Sequence, residues 1–247
     1  MKGRLEVFGS VSELIRGVGE KVAVCIEEAI ALHGVASVGL SGGSTPRSVY
    51  ELLGSDEFRT RVDWTRVHLF WGDERCVPPF MPESNFRMVN EALIKRISIP
   101  EANVHRILGE RPPREAALAY EQDIKALFDL QEGQWPAFSL VLLGLGEDGH
   151  TASLFPETPV IQEQVRLVAE VHVEELSADR ITMTLPLINN AASVMCIVSG
   201  RSKAMVLRQV LEGDVVRYPA QMVNPVSGQL YWLVDQEAAS QLQTVHH

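Results

Sequence analysis

Residues 140–156, LVLLGLGEDGHTASLFP, constrain this chain more than any other stretch. A short apolar run stops at glycines and then delivers an acid and an imidazole together, Asp148 and His150. Residues 139–143 have the length and apolarity of a buried strand, and Gly144, Gly146 and Gly149 suit a sharp turn with close backbone approach. In open α/β sheets, chemistry collects at such carboxyl ends of strands.

The same residues spell GxGxxG, the dinucleotide fingerprint, and the context argues against that reading. The fingerprint needs a helix opening within the motif and an acid about 20 residues on, closing the next strand. Here Pro156 and Pro159 interrupt any long helix, and neither Glu163 nor Glu170 closes a convincing strand.

Strand-like runs recur at 35–40, 67–71, 138–143, 167–173, 181–185, 194–199 and 230–234. Helical periodicity fills most of the gaps. Apolar Ile15, Val18, Val22, Ile26, Ala29 and Ile30 mark one face of a helix over 12–32. Further helices are expected over 47–53, over 85–97 with Ser84 as N-cap, over 112–130 and over 201–211. Alternating strands and helices define an α/β class, a mainly parallel sheet covered on both faces, with some irregular or antiparallel pairing near 165–200. No linker, repeat or low-complexity run divides the 247 residues, so a single domain over 1–247 is expected.

The formal charge of −10 excludes a general nucleic-acid or acidic-membrane surface, which requires a basic face. An anionic small substrate stays compatible, provided that cations and backbone N–H groups cluster locally. Cys25, Cys76 and Cys196 are far apart and lack CxxC spacing, which suggests reduced thiols rather than a disulfide framework or a zinc knuckle. No signal-peptide core or run of about 18 apolar residues is present, and a cytoplasmic protein, monomer or homodimer, is expected. His246 and His247 are read as lying beyond the folded body.

Four further segments carry chemistry. Residues 39–46, GLSGGSTP, follow the first clear strand and lead into a helix, a geometry that offers amides, hydroxyls and a helix N-terminus to a phosphate. They also contain Gly39-x-Ser41-x-Gly43, the nucleophile-elbow pattern of serine hydrolases, with Asp73 and His150 following in triad order. Too few residues precede Ser41 for the strands that normally come before that elbow. Residues 71–75, WGDER, end another strand with Asp73, Glu74 and Arg75, which read either as a solvated turn or as part of the same edge; Asn85 follows, suited to capping a helix or touching a ligand. Arg180, opening the strand RITMTLP, and Lys203, in the first turn of a helix, supply cations for an anion. His33, His68, His105 and His172 read as structural or exposed, and no metal-ligand spacing or GxxxxGK[ST] loop occurs.

Taken together, LSGGSTP at 40–46, WGDER at 71–75 with ESN at 83–85, GLGEDGHTASLFP at 144–156, RITMTLP at 180–186 and GRSK at 200–203 resemble the 6-phosphogluconolactonases. That family is grouped with the glucosamine-6-phosphate isomerases and deaminases. The resemblance spans about two-thirds of the chain, in the family's order. It implies a Rossmann-like sheet flanked by helices and no obligatory cofactor or metal. The implied reaction is hydrolysis of 6-phospho-D-glucono-1,5-lactone to 6-phosphogluconate, in the oxidative pentose phosphate pathway. Gly42, Gly43, Ser44, Thr45, Arg180 and Lys203 would hold the phosphate, with Ser41 and Asn85 completing the substrate-binding set. His150 would activate water with Asp148 behind it, and Arg75 would help the oxyanion. Asp73 would either bind sugar hydroxyls or hold Arg75. A deaminase and a Ser41 esterase are the alternatives. The deaminases carry an acid where Phe155 stands and an aromatic residue where Arg75 stands, which favours the lactonase.

Overall fold

A computed structural model describes residues 3–131 and 133–243, and of Glu175 the backbone alone. His246 and His247 lie outside the described residues. Among the described residues, ten strands form two sheets. Seven of them, β1 (Arg4–Phe8), β2 (Ala36–Leu40), β3 (Val67–Trp71), β5 (Val104–His105), β6 (Leu140–Leu143), β9 (Ser193–Val198) and β10 (Gln229–Asp235), make a parallel sheet in the order β1-β10-β9-β6-β2-β3-β5. The other three, β4 (Asp73–Arg75), β7 (Val168–Val173) and β8 (Ala178–Met183), pair antiparallel in the order β4-β8-β7. Of the irregular or antiparallel pairing expected near 165–200, the antiparallel form is found, in a small sheet separate from the large one.

The interior strands β2 and β6 are buried throughout, as apolar strands covered on both faces must be. The long helix α1 (Val11–His33) is capped by the Ser10 hydroxyl, which accepts from the Glu13 amide, and buries Leu14, Val18, Val22 and Ile26. Helices α2 (Ser44–Leu53), α4 (Asn85–Ala92), α5 (Pro113–Leu127) and α7 (Ala204–Glu212) flank the sheets, with shorter α3 (Asp56–Arg59), α6 (Leu185–Asn189) and α8 (Gln236–Ala239) between them. Ser84 caps α4 as expected, but the helix stops at Ala92 and a separate 3₁₀ turn takes over at Ile94–Arg96. No helix among the described residues is long and apolar enough to cross a membrane.

Strand order places the site. From β2 the chain winds outward through β3 to β5, whereas β6, β9, β10 and β1 lie on the other side of β2. The loops leaving β2 and β6 therefore part in opposite directions from adjacent strands, and a crevice opens where they separate.

Candidate active site

That crevice is a cavity of about 400 Å³. Its walls include Ser41, Gly42, Gly43, Ser44 and Thr45 after β2, Asp73, Arg75 and Asn85 beyond β3, His150 after β6, Arg180 on β8, and Lys203 ahead of α7. Every sequence-predicted site residue lines it except Asp148, which reaches it through His150.

The turn after β6 is built to present the imidazole. His150 Nδ1 lies 2.5 Å from Asp148 Oδ1, and the same oxygen accepts the His150 backbone N–H at 3.2 Å. A carboxylate only accepts, so the imidazole proton sits on Nδ1 and the lone pair of Nε2 is free. Of the three glycines there, only Gly149 adopts the left-handed region, at φ 79°. Gly146 serves a different purpose: a Cβ on it would overlap both His150 Nδ1 and Asp148 Oδ1. The loop is closed by Gly146 N–H donating to His150 O at 2.8 Å and by the Thr151 hydroxyl donating to Gly144 O at 2.9 Å. No helix begins here, which removes the dinucleotide reading.

The turn after β2 enters α2 through Gly43, with no side-chain cap on the helix N-terminus. Its first amides are thus available to a ligand that lines up with the helix dipole. The Tyr50 hydroxyl clamps the base of the turn, accepting from Ser41 N and donating to Ser41 O at 2.9 Å each. Burial raises the Tyr50 pKa, which keeps this hydroxyl a neutral two-way partner. Thr45 Oγ1 lies 2.6 Å from Ser199 Oγ, a partner absent from the sequence reading. Ser41 Oγ donates to Gly42 O at 3.1 Å and not to His150, and the imidazole is held by Asp148 and not by Asp73, the acid of the expected triad order. The geometry of a serine nucleophile and its base is not formed.

Asp73, Glu74 and Arg75 are not a solvated turn but the strand β4, with both acids buried. Glu74 accepts from the amides of Arg75, Asn85 and Phe86 and from the Ser84 hydroxyl, at 2.7–3.0 Å. Burial raises its pKa and those amide bonds oppose the rise. Asp73 takes the Ser153 hydroxyl at 2.7 Å and the Asn85 amide at 3.2 Å. It does not hold Arg75, whose guanidinium donates instead to the Glu83 carbonyl. Arg180 sits in the middle of β8 rather than opening it, directly across from Arg75 in the antiparallel register. Burial first, and then the Arg75 charge, lower the Arg180 pKa. Neither arginine's buried Nε has a hydrogen-bond partner. Two opposed like charges with unused donors are costly in the absence of an anion. Lys203 closes a 3₁₀ turn, Arg201–Lys203, just before α7, and its ammonium lies 3.9 Å from Glu147. Among the described residues, no group of three or more His, Cys, Asp or Glu side chains could hold a metal ion.

Ser153, Ser199, Tyr50 and Glu147 had no signal in the sequence, because each reaches the site through a tertiary contact.

The switch-point crevice, its two facing arginines and its carboxylate-held imidazole define an α/β enzyme with an anion-gripping cleft. Comparison with known proteins narrows the class. A family model described as glucosamine-6-phosphate isomerases/6-phosphogluconolactonase matches residues 9–232, and the chain belongs to that family. It is 42% identical over 231 residues to a Synechocystis 6-phosphogluconolactonase, covering 91% of this chain and 93% of that one. A Nostoc 6-phosphogluconolactonase is 37% identical over 245 residues, covering 98% and 99%. The solved 6-phosphogluconolactonase from Trypanosoma cruzi superposes with a TM-score of 0.88 at 30% identity, covering 98% of this chain and 97% of that one.

Proposed function

We propose that the chain hydrolyses 6-phospho-D-glucono-1,5-lactone to 6-phosphogluconate with His150 as general base. One observation carries the reading: the imidazole and the residues suited to phosphate, Gly42, Gly43, Ser44, Thr45, Arg180 and Lys203, line the same cavity, of a size for one hexose phosphate. Phosphate held at that end turns attack by water into an oriented event. His150 Nε2 takes a proton from the water as its oxygen attacks the lactone carbonyl, then returns the proton to the departing ring oxygen. Asp148 fixes the tautomer and steadies the imidazolium. Arg75, with amides of the glycine turns, offsets the oxyanion, and Asp73, Asn85 and Ser41 line the middle of the cleft for sugar hydroxyls.

General-base help supplies about 10²–10⁴ in rate. An oxyanion donor adds about 10² or more. A strained ester needs no more. A single lactonase domain over 1–247 belongs to the same proposal and is supported by one continuous core. So does a cytoplasmic setting, supported by three free cysteines.

The test is to follow lactone opening with wild type and His150→Ala, each with and without chelator. His150→Ala should lower kcat by at least about 10², with chelator having no effect. Equal rates for the two proteins would refute the base, and loss on chelation would refute the metal-free scheme. Ammonia release from glucosamine 6-phosphate, or labelling of Ser41 by a fluorophosphonate, would point to the two alternatives instead.

A further inference from the structure

Phe155 lies behind the cavity wall, 6% exposed, and is not among the residues lining the cleft. Its ring stacks on the His150 imidazole with centroids 4.2 Å apart and planes 29° apart. The guanidinium of Arg180 lies 5.6 Å from the same ring's centroid. One phenyl group thus separates the base from the cation assigned to phosphate.

Both neighbours need such a support. The hydrogen bond from Nδ1 to Asp148 fixes one point of the imidazole and leaves it free to pivot about that bond; a flat surface against the ring removes the pivot and aims Nε2 into the cleft. Arg180 faces the like charge of Arg75 across the strand pair, and its Nε has no partner. The negative face of an aromatic ring holds a cation there without offering a carboxylate that would compete with the substrate's phosphate.

We propose that Phe155 is a positioning residue that sets the imidazole and the Arg180 guanidinium relative to each other, so that one side chain fixes both the base and the anchor. The inference rests on the lactonase reading above. A ringless aliphatic side chain fills the volume without providing either contact, and a tyrosine or tryptophan restores both.

The experiment compares wild type, F155L, F155M, F155Y and F155W in three measurements: kcat and KM for the lactone, inhibition by inorganic phosphate, and the low-field proton resonance of the His150–Asp148 hydrogen bond. F155L and F155M should each lower kcat by about 10- to 100-fold, the cost of a misaimed base. They should weaken phosphate inhibition about 3-fold or more through the loosened guanidinium. The resonance should shift or broaden in both, while the aromatic variants keep all three properties near wild type. Two ringless variants protect the comparison if one fails to fold. Unchanged kcat, phosphate inhibition and resonance in F155L or F155M would overturn the proposal, as would a loss equal in F155Y. Absence of lactone turnover in wild type would instead sink the functional reading, while the resonance still reports whether the ring holds the imidazole.

Discussion

At the scale of single residues, the site depends as much on side chains that are missing as on those present. Gly146 leaves the space in which Asp148 and His150 meet, and a methyl group there would overlap both of them. Gly146→Ala should therefore lower kcat by about 10² while leaving the thermal midpoint close to wild type, because the clash falls on a surface turn and not on the core. Activity assays beside thermal unfolding check this, and an active Gly146→Ala enzyme would contradict the geometry. The acid, the imidazole and their glycines were legible in the sequence because they are adjacent in it. Ser153 on Asp73 and Phe155 on His150 were not, since hydrogen bonding and stacking between side chains depend on how the loop folds back.

At the scale of elements, the apolar strands β2, β3, β6, β9 and β10 could be read directly, whereas the edges could not. β1 alternates polar and apolar residues from Arg4 to Val7 without an apolar run to mark it, and β5 is only two residues long, too short for any periodicity. β4 reads as a charged turn because its burial depends on partners, Glu74 on amides and Ser84, and Asp73 on Ser153 and Asn85. The histidines of β3 and β5 prove to be a relay. Asp123 on α5 accepts from His105 Nδ1 at 2.9 Å, which leaves His105 Nε2 to accept from His68 Nδ1 at 3.0 Å. Burial first, and then repulsion from the His105 imidazole when that ring is protonated, lower the His68 pKa below its ordinary value of about 6.5. The unfolded chain then takes up its proton first as pH falls, so stability present above pH of about 6.5 is lost as pH drops toward the folded value. Denaturant unfolding from pH 7.5 to about 5 should show this decline, and His68→Gln should be less stable at pH 7.5 with a shallower acid slope. An unaltered slope would remove His68 as its source.

At the scale of the whole molecule, the cleft is assembled from two sheets with different duties. The parallel sheet carries the glycine turn and the imidazole, and the small antiparallel sheet carries Arg75 and Arg180. Alanine at Arg180 or Lys203 should raise KM about 10-fold or more, the value of a charge-assisted contact, with a smaller effect on kcat than His150→Ala. Steady-state kinetics across the three variants decide it, and a purely kcat effect at Arg180 and Lys203 would reverse the assignment of the anchor. The alternation of strands and helices made the α/β class readable, but nothing local announces that the chain leaves one sheet for another at Gly72. That residue donates to Leu40 O and accepts from Met183 N, both at 2.8 Å, and so stitches the two sheets together through the backbone. Arg75 and Arg180 are thus held against the glycine turn and the imidazole by main-chain bonds, which no exchange of side chains on either sheet removes.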